Sequence, residues 1–262
     1  MQGSAQQGDR LLLRPLDATL ETPGLPQSAT GQTSLFTGVN AAAYIGKHFG
    51  PYPYSTLQPI IEEKNIFRRI RNAGRSFSFV NAYPKQFFDY IESGKRRLTV
   101  TTLACLLSRI PLHHADDLRE KKAISADITN ERWHALGYPD IGTIPPAEAG
   151  RRFAHLASRH DFLLFEYFLT DHAGHKQDME NAVRVIGVFD EFLGGFNDAR
   201  DDGTLLVMTS DHGNVEDLTV KTHTRNDVPL WVSGGRSADF VDGLGSLTDI
   251  PGRIMERLHI DP

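Results

Sequence analysis

Residues 209–217 read TSDHGNVED and follow directly on the apolar run TLLVM, residues 204–208. An acid and an imidazole side by side at the mouth of a core strand cost desolvation energy unless a bound cation or a hydrogen-bond network compensates. Two more strand ends carry groups of the same kind. DFLLFEYFLT (161–170) runs into DHAGHKQD, where Asp171 and His175 stand four residues apart, a spacing that aims both side chains at one point on a helix. KTHT, just before PLWVS (229–233), offers His223, and the opening stretch itself offers Asp211 and His212. Carboxylates and imidazoles without thiolates suit zinc, manganese or iron, in a catalytic rather than a cysteine-type structural site.

A fourth stretch, GLPQSATGQTSLFTGVNA (24–41), places Gly31 before Gln32, Thr33 and Ser34, with SLFTGV read as the opening of a helix. A hydroxyl at a helix N-terminus sits among free backbone N–H groups and the positive end of the dipole, where an anion such as phosphate binds. A threonine there becomes a nucleophile only with an activator, and a divalent cation is one. Taken alone, an ordinary Thr or Ser cap accounts for the same residues.

Other candidates read as structural. His48, His134, His155 and His259 are single histidines of surface or packing type. His113 and His114 form a solvated pair in a polar loop, and His172 faces away from Asp171 and His175 on a helix. Arg225, just after His223, along with Arg151 and Arg152, fits either a bidentate contact to phosphate or a solvated helix or loop charge, and Arg225 is the favoured candidate of the three.

The elements that must position these groups alternate in period. Apolar, β-rich runs lie at 76–80, 97–101, 161–168, 204–208 and 229–233. Helical patterns occupy 56–72, 84–92, 147–158, 178–196 and 248–258. Strands alternating with helices predict an α/β fold, a three-layer α/β/α sandwich with a mainly parallel central sheet. Ligands collect beyond the carboxyl ends of such strands. The expected organisation is a single domain over 1–262, with 1–10 as a loop-like tail and 110–146 as a small insertion near the site.

With 262 residues and a formal net charge of −5, the chain is poorly suited to nucleic acid or an anionic membrane, and a small-molecule partner fits better. The single cysteine, Cys105, excludes an internal disulfide and reads as core packing in TTLACLL. No apolar run reaches 18 residues and the start lacks a signal-peptide centre, so the expected compartment is the cytoplasm.

GLPQSATGQT, DHAGH, SDHGNVED and THTRNDVP, in this order, resemble the alkaline phosphatase superfamily, above all its branch of cofactor-independent phosphoglycerate mutases and phosphopentomutases. The resemblance spans residues 17 to about 233. It implies a phosphoryl-transfer enzyme with two divalent ions, manganese or zinc with magnesium also allowed, acting on a small phosphorylated metabolite. It further implies that Thr33 is phosphorylated and contacts one metal with Asp211 and His212, while Asp171, His175 and His223 hold the other. A phosphatase-like hydrolase is the first expectation; a phosphomutase, or a catalytically impaired metal-binding protein, is the alternative. Enzymes of this kind begin with an apolar strand ending in Asp-Gly, whose aspartate completes the metal site at the nucleophile. No such strand precedes the matching region here, and neither Asp9 nor Asp17 replaces it, so the fold is expected to be N-terminally truncated and the second metal site incomplete.

Overall fold

The computed structural model describes residues 11–95 and 97–261. The chain opens with β1 (Leu12–Leu16) and, after a turn held by the Asp17 carboxylate, enters α1 (Ser28–Thr37) and α2 (Ala41–Ile45). The helical pattern at 56–72 becomes a short 3-10 turn followed by α3 (Gln58–Lys64) and α4 (Ile66–Asn72). Asn65 causes the break: its backbone is extended and its side chain accepts from Arg68 N at 2.9 Å, so it caps the second helix instead of continuing the first.

Next come β2 (Phe77–Phe79), β3 (Asn81–Ala82), α5 (Lys85–Glu92) and α6 (Val100–Leu107). The run RLTVT, expected as a strand at 97–101, is instead the approach to α6. The Thr99 side chain accepts from Thr102 N as an N-cap, and Val100, Ala104 and Cys105 turn into the core, so capping and burial outweigh the β-branched preference. Cys105 is buried, as its surroundings in the sequence suggested.

The stretch 110–146 holds α7 (Ala115–Arg119), β4 (Ile124–Ser125) and α8 (Glu131–Ala135) around a small cluster of Leu118, Ala123, Trp133 and Ile141. The remainder alternates: α9 (Pro146–Ala157), β5 (Phe162–Leu164), α10 (Leu169–Lys176), α11 (Met179–Ala199), β6 (Leu206–Met208), β7 (Val228–Ser233), α12 (Ser237–Val241) and α13 (Ile250–Arg257).

The fold is α/β and layered. One face of the strands packs on α9 and α11 through Leu163, Phe165, Leu206 and Met208; the other meets the helices α1, α3, α4, α6 and α13 through Phe162, Leu164, Leu205 and Val207. Parallel pairing is seen in β2–β5 and β3–β4. The third sheet, in the order β1-β7-β6, is antiparallel throughout. The sequence contains the reason: Asp211 and His212 follow β6 while His223 precedes β7, so the two strands must run in opposite directions to bring both ends to one edge. Among the described residues no ladder joins β5 to β6, and each leaves one edge unpaired.

α9 and α11 cross in backbone contact because glycine faces each partner. A Cβ on Gly150 would overlap Phe192 O, and one on Gly195 would overlap Ala147 O, whereas one on Gly194 would meet nothing within 4 Å. We therefore expect Gly150→Ala and Gly195→Ala each to cost about 1–3 kcal/mol in urea unfolding, with Gly194→Ala neutral or stabilising by up to roughly 1 kcal/mol.

Candidate active site

α1 begins at Ser28, five residues before Thr33. Gln27 is extended, with φ −140° and ψ 146°, and the first intrahelical bond runs from Gly31 N to Gln27 O at 2.8 Å. Thr33 thus falls in the second turn, fully buried, with its Oγ1 donating to Ala29 O at 2.6 Å. Ser34 and Thr37 bond back one turn in the same way. The expectation of Thr33 at the helix N-terminus is corrected: the hydroxyl found there is that of Ser28, whose Oγ lies 3.0 Å from His212 Nε2. An added Cβ on Gly31 would overlap Asp211 O, so this glycine lets α1 lie against the end of β6.

Asp171 and His175 occupy successive turns of α10, with His175 Nε2 3.5 Å from Asp171 Oδ1. Asp211 and His212 follow β6, where Gln32 Nε2 donates to Asp211 Oδ2 at 3.1 Å. His223 reaches the same point from the start of β7: its Nε2 is 3.5 Å from Asp171 Oδ1 and 3.1 Å from His175 Nε2. The His212 and His223 rings stack with centroids 3.6 Å apart. Asp171, His212 and His223 each offer a ligand atom within 4.8 Å of the others. Five residues from three strand ends lie together, while the Thr33 hydroxyl is bonded to Ala29 O inside α1.

The other nitrogens of these rings decide what the cluster suits. His175 Nδ1 lies 2.7 Å from Lys221 O, and His223 Nδ1 lies 2.7 Å from Pro26 O. A carbonyl only accepts, so both Nδ1 atoms carry the proton and, in the neutral rings, both Nε2 lone pairs point at each other. Asp171 Oδ1, beside them, is buried without a hydrogen-bond partner. Three lone pairs aimed at one point repel unless a proton or a metal cation stands between them, and backbone carbonyls behind imidazoles are the usual support of metal-binding histidines. The residues fit a divalent cation.

Electrostatics agree. Burial works to raise the Asp171 carboxyl, but the imidazoles of His223, His212 and His175 hold it below the usual carboxylate range. Burial likewise opposes charge on His223, and the contacts to Asp171 and Pro26 O outweigh it and raise this imidazole.

Further groups hold the frame. Glu216 accepts from Asn214 N at 2.6 Å, from Asn226 Nδ2 at 3.1 Å and from the Thr224 hydroxyl, tying the loop after β6 to the one before β7. Its place in the NVED stretch was visible, but its partners were not. Nothing in the sequence singled out Ser28, Gln32 or the carbonyls of Pro26 and Lys221. Arg225 is exposed on the loop two residues beyond His223. Arg151 pairs with Glu148 at 3.3 Å, and Arg152 is nearly buried in α9, which sets aside its reading as a solvated charge. His113 is also not solvated: its Nε2 lies 2.9 Å from Ser78 Oγ, and burial lowers its pKa. Asp17 spends its carboxylate on the Thr19 amide and hydroxyl, at 2.8 and 2.6 Å; Asp9 lies outside the described residues.

Residues 150–262 match the model of the metalloenzyme superfamily, and they carry all five convergent side chains. The chain is a relative of the metalloenzyme superfamily. Its fold is that of alkaline phosphatases. The enzyme from the Antarctic bacterium TAB5 superposes with a TM-score of 0.57 at 12% identity, over 95% of this chain and 89% of that one. That of the psychrophile Shewanella sp. gives 0.56 at 14%, over 95% and 90%. In sequence, the chain is 31% identical over 151 residues to the 2,3-bisphosphoglycerate-independent phosphoglycerate mutase of Natronomonas pharaonis, half of this chain and 29% of that protein. It is 23% identical over 258 residues to the phosphopentomutase of Hahella chejuensis, 91% of this chain and 59% of that protein. The chain thus spans less than two thirds of the length of these curated relatives. No helix among the described residues of this metalloenzyme relative is long and apolar enough to cross a membrane.

Two outcomes are expected. Zinc or manganese should raise the melting temperature, by the equivalent of about 2.7 kcal/mol at a hundredfold excess over the dissociation constant. Asp171→Asn and His223→Ala should lose most of that rise, and His134→Ala should keep it, as read by scanning fluorimetry. The second concerns Glu166, whose carboxyl is raised from 4.5 to about 7 by burial first and by the Asp211 charge, against the Thr101 hydroxyl bond. A raised folded pKa contributes stability that is complete below about pH 4.5 and lost as pH climbs through about 7. Wild-type stability should therefore fall by at most about 3 kcal/mol across that window relative to Glu166→Gln, in urea titrations at each pH.

Proposed function

We propose that this metalloenzyme relative is a metal-dependent phosphoryl-transfer enzyme that hydrolyses small phosphomonoesters through a phosphoserine at Ser28. The observation that carries this reading is the 3.0 Å approach of Ser28 Oγ to His212 Nε2, at the first residue of a helix and beside a cluster fit for a divalent cation. Asp171, His175 and His223 would hold one ion; Asp211 and His212, with Ser28, would hold a second whose ligand set is smaller. Zinc or manganese suits these donors, and the ions would draw negative charge from the transferring phosphoryl group.

The protein's own groups supply the rest. Ser28 stands where α1 directs its positive end, and the amides of Ser28 and Ala29 precede the first intrahelical bond, so a phosphoryl oxygen would meet backbone donors there. An ion held by Asp211 and His212 beside the Ser28 hydroxyl, 3.0 Å from His212 Nε2, would lower the pKa of that hydroxyl and so supply the activator it needs. Gln32 fixes the Asp211 carboxylate, and the Pro26 carbonyl fixes His223 only two residues before the nucleophile.

Water is the acceptor favoured over a second substrate hydroxyl, because the Asp171 and His175 side chains are 32% and 44% exposed and a mutase must keep water from its phosphoenzyme. In phosphate-release assays on an aryl phosphate with added manganese or zinc, Ser28→Ala should lower kcat by about a thousandfold or more. Thr33→Val, which removes only a hydroxyl bonded inside α1, should change it less than about threefold once the protein is folded. Mass spectrometry of a quenched reaction should find phosphate on Ser28. The reverse pattern would return the nucleophile to Thr33, and phosphate moved within a sugar phosphate without release would favour the mutase.

A further inference from the structure

Buried polar atoms without a partner mark places where a protein has more hydrogen-bonding capacity than its own contacts use. Asn214, two residues beyond His212, has two of them. The residue is 5% exposed, and neither its Oδ1 nor its Nδ2 meets a hydrogen-bond partner among the described residues. Its backbone is firmly held: the amide N donates to Glu216 Oε2 at 2.6 Å, and the carbonyl accepts from Asp217 N at 3.2 Å. The side chain is thereby delivered to the backbone of α10. A Cβ on Gly174 would come 1.4 Å from Asn214 Oδ1 and 3.2 Å from Nδ2, so the amide fills the place of a side chain on that helix.

Gly174 stands three residues after Asp171 and one before His175. Positions three apart on a helix are neighbours, with Cβ atoms about 5–6 Å from one another. The amide in the side-chain place of Gly174 therefore adjoins the Asp171 carboxylate, which faces His175 and His223. Asp171 Oδ1 is its counterpart: a buried acceptor without a donor, and the only such side-chain atom on α10 among the described residues. An ionised carboxylate oxygen has two lone pairs, enough to serve a cation and an amide together. Carboxylates that bind metal ions are themselves hydrogen-bonded, and removing such support weakens metal affinity by about 10–100-fold.

We propose that Asn214 is a positioning residue of the cation centre, its Nδ2 donating to the Asp171 carboxylate once a cation is bound and so tying the loop of Asp211 and His212 to the helix of Asp171 and His175. This rests on the cluster being a cation centre and is independent of Ser28. Leucine is close to asparagine in shape and has no polar atom, so Asn214→Leu separates packing from donation. In chelator-treated protein the variant should unfold at the same urea concentration as wild type or a higher one, because it removes two buried polar atoms that lack partners. Its affinity for cobalt(II), by calorimetric titration with the metal alone, should be about 10–100-fold weaker, with the visible absorption bands of bound cobalt altered. A residue that only packs against Gly174 would leave affinity and bands unchanged, and that result overturns the proposal. Asn214→Ala makes the same comparison with less bulk should leucine not fit against Gly174: a similar loss of cobalt affinity supports the role, and full affinity removes it. Wild-type protein that takes up no cobalt removes the cation centre itself, whereas cobalt bound equally by wild type and both variants removes Asn214 alone.

Discussion

Two backbone carbonyls determine what this site can be. Pro26 O and Lys221 O each fix a proton on the Nδ1 of a histidine, and by doing so turn two Nε2 lone pairs toward Asp171 Oδ1. The arrangement is unfavourable when empty of charge and favourable around a cation, so the protein has placed its repulsion where a ligand relieves it. Both carbonyls also serve a second purpose. Pro26 is two residues from Ser28, so the bond that orients His223 also positions the N-terminus of α1. Lys221 is two residues from His223, so one short segment orients both rings.

That constraint requires backbone to approach backbone closely around the site. Gly31 admits the Asp211 carbonyl, Gly174 admits the Asn214 amide, and Gly213 sits under Thr224 and Glu216; a Cβ at any of the three would overlap its neighbour. Glu216 then joins the loops on either side of Gly213 through three donors. The glycines of DHAGH and SDHGN are thus explained by packing between ligand-bearing loops.

Much of this was legible from spacing. Asp171 with His175, Asp211 with His212, and His223 stand at strand ends, and the periodicity that marked α5, α9, α11 and α13 placed them within a residue or two, apart from the longer C-terminal end of α11. The helix start at Ser28 was not legible. In PQSATGQTS a hydroxyl recurs at 28, 30, 33 and 34, and any of them could cap; what selects Ser28 is a long-range hydrogen bond from Thr30 to Phe49 and the back-bonding of the later hydroxyls within the helix. The Thr99 cap misled in the opposite sense, since β-branched residues around it read as strand. The short range of a sequence pattern cannot weigh a cap against a ladder whose partner lies elsewhere.

The direction of β7 follows from the site and not from local propensity. A histidine before a strand and an Asp-His pair after the preceding one can share an edge only if the strands oppose, and the ladder of Leu206–Ser233, Val207–Val232 and Met208–Trp231 shows that they do. No ladder joins β5 to β6 among the described residues, although their ends deliver Asp171 and Asp211 to the same place. The two halves of the site are therefore held in register by α9 and α11 beneath both strands and by bonds above them: Ser28 to His212, Gln32 to Asp211, His175 to Lys221 and His223 to Pro26. Because the side chains that would bind a cation also hold the halves together, cation binding and the closure of the sheet's ends would be one equilibrium. A ligand that engages both halves necessarily stabilises their relative placement.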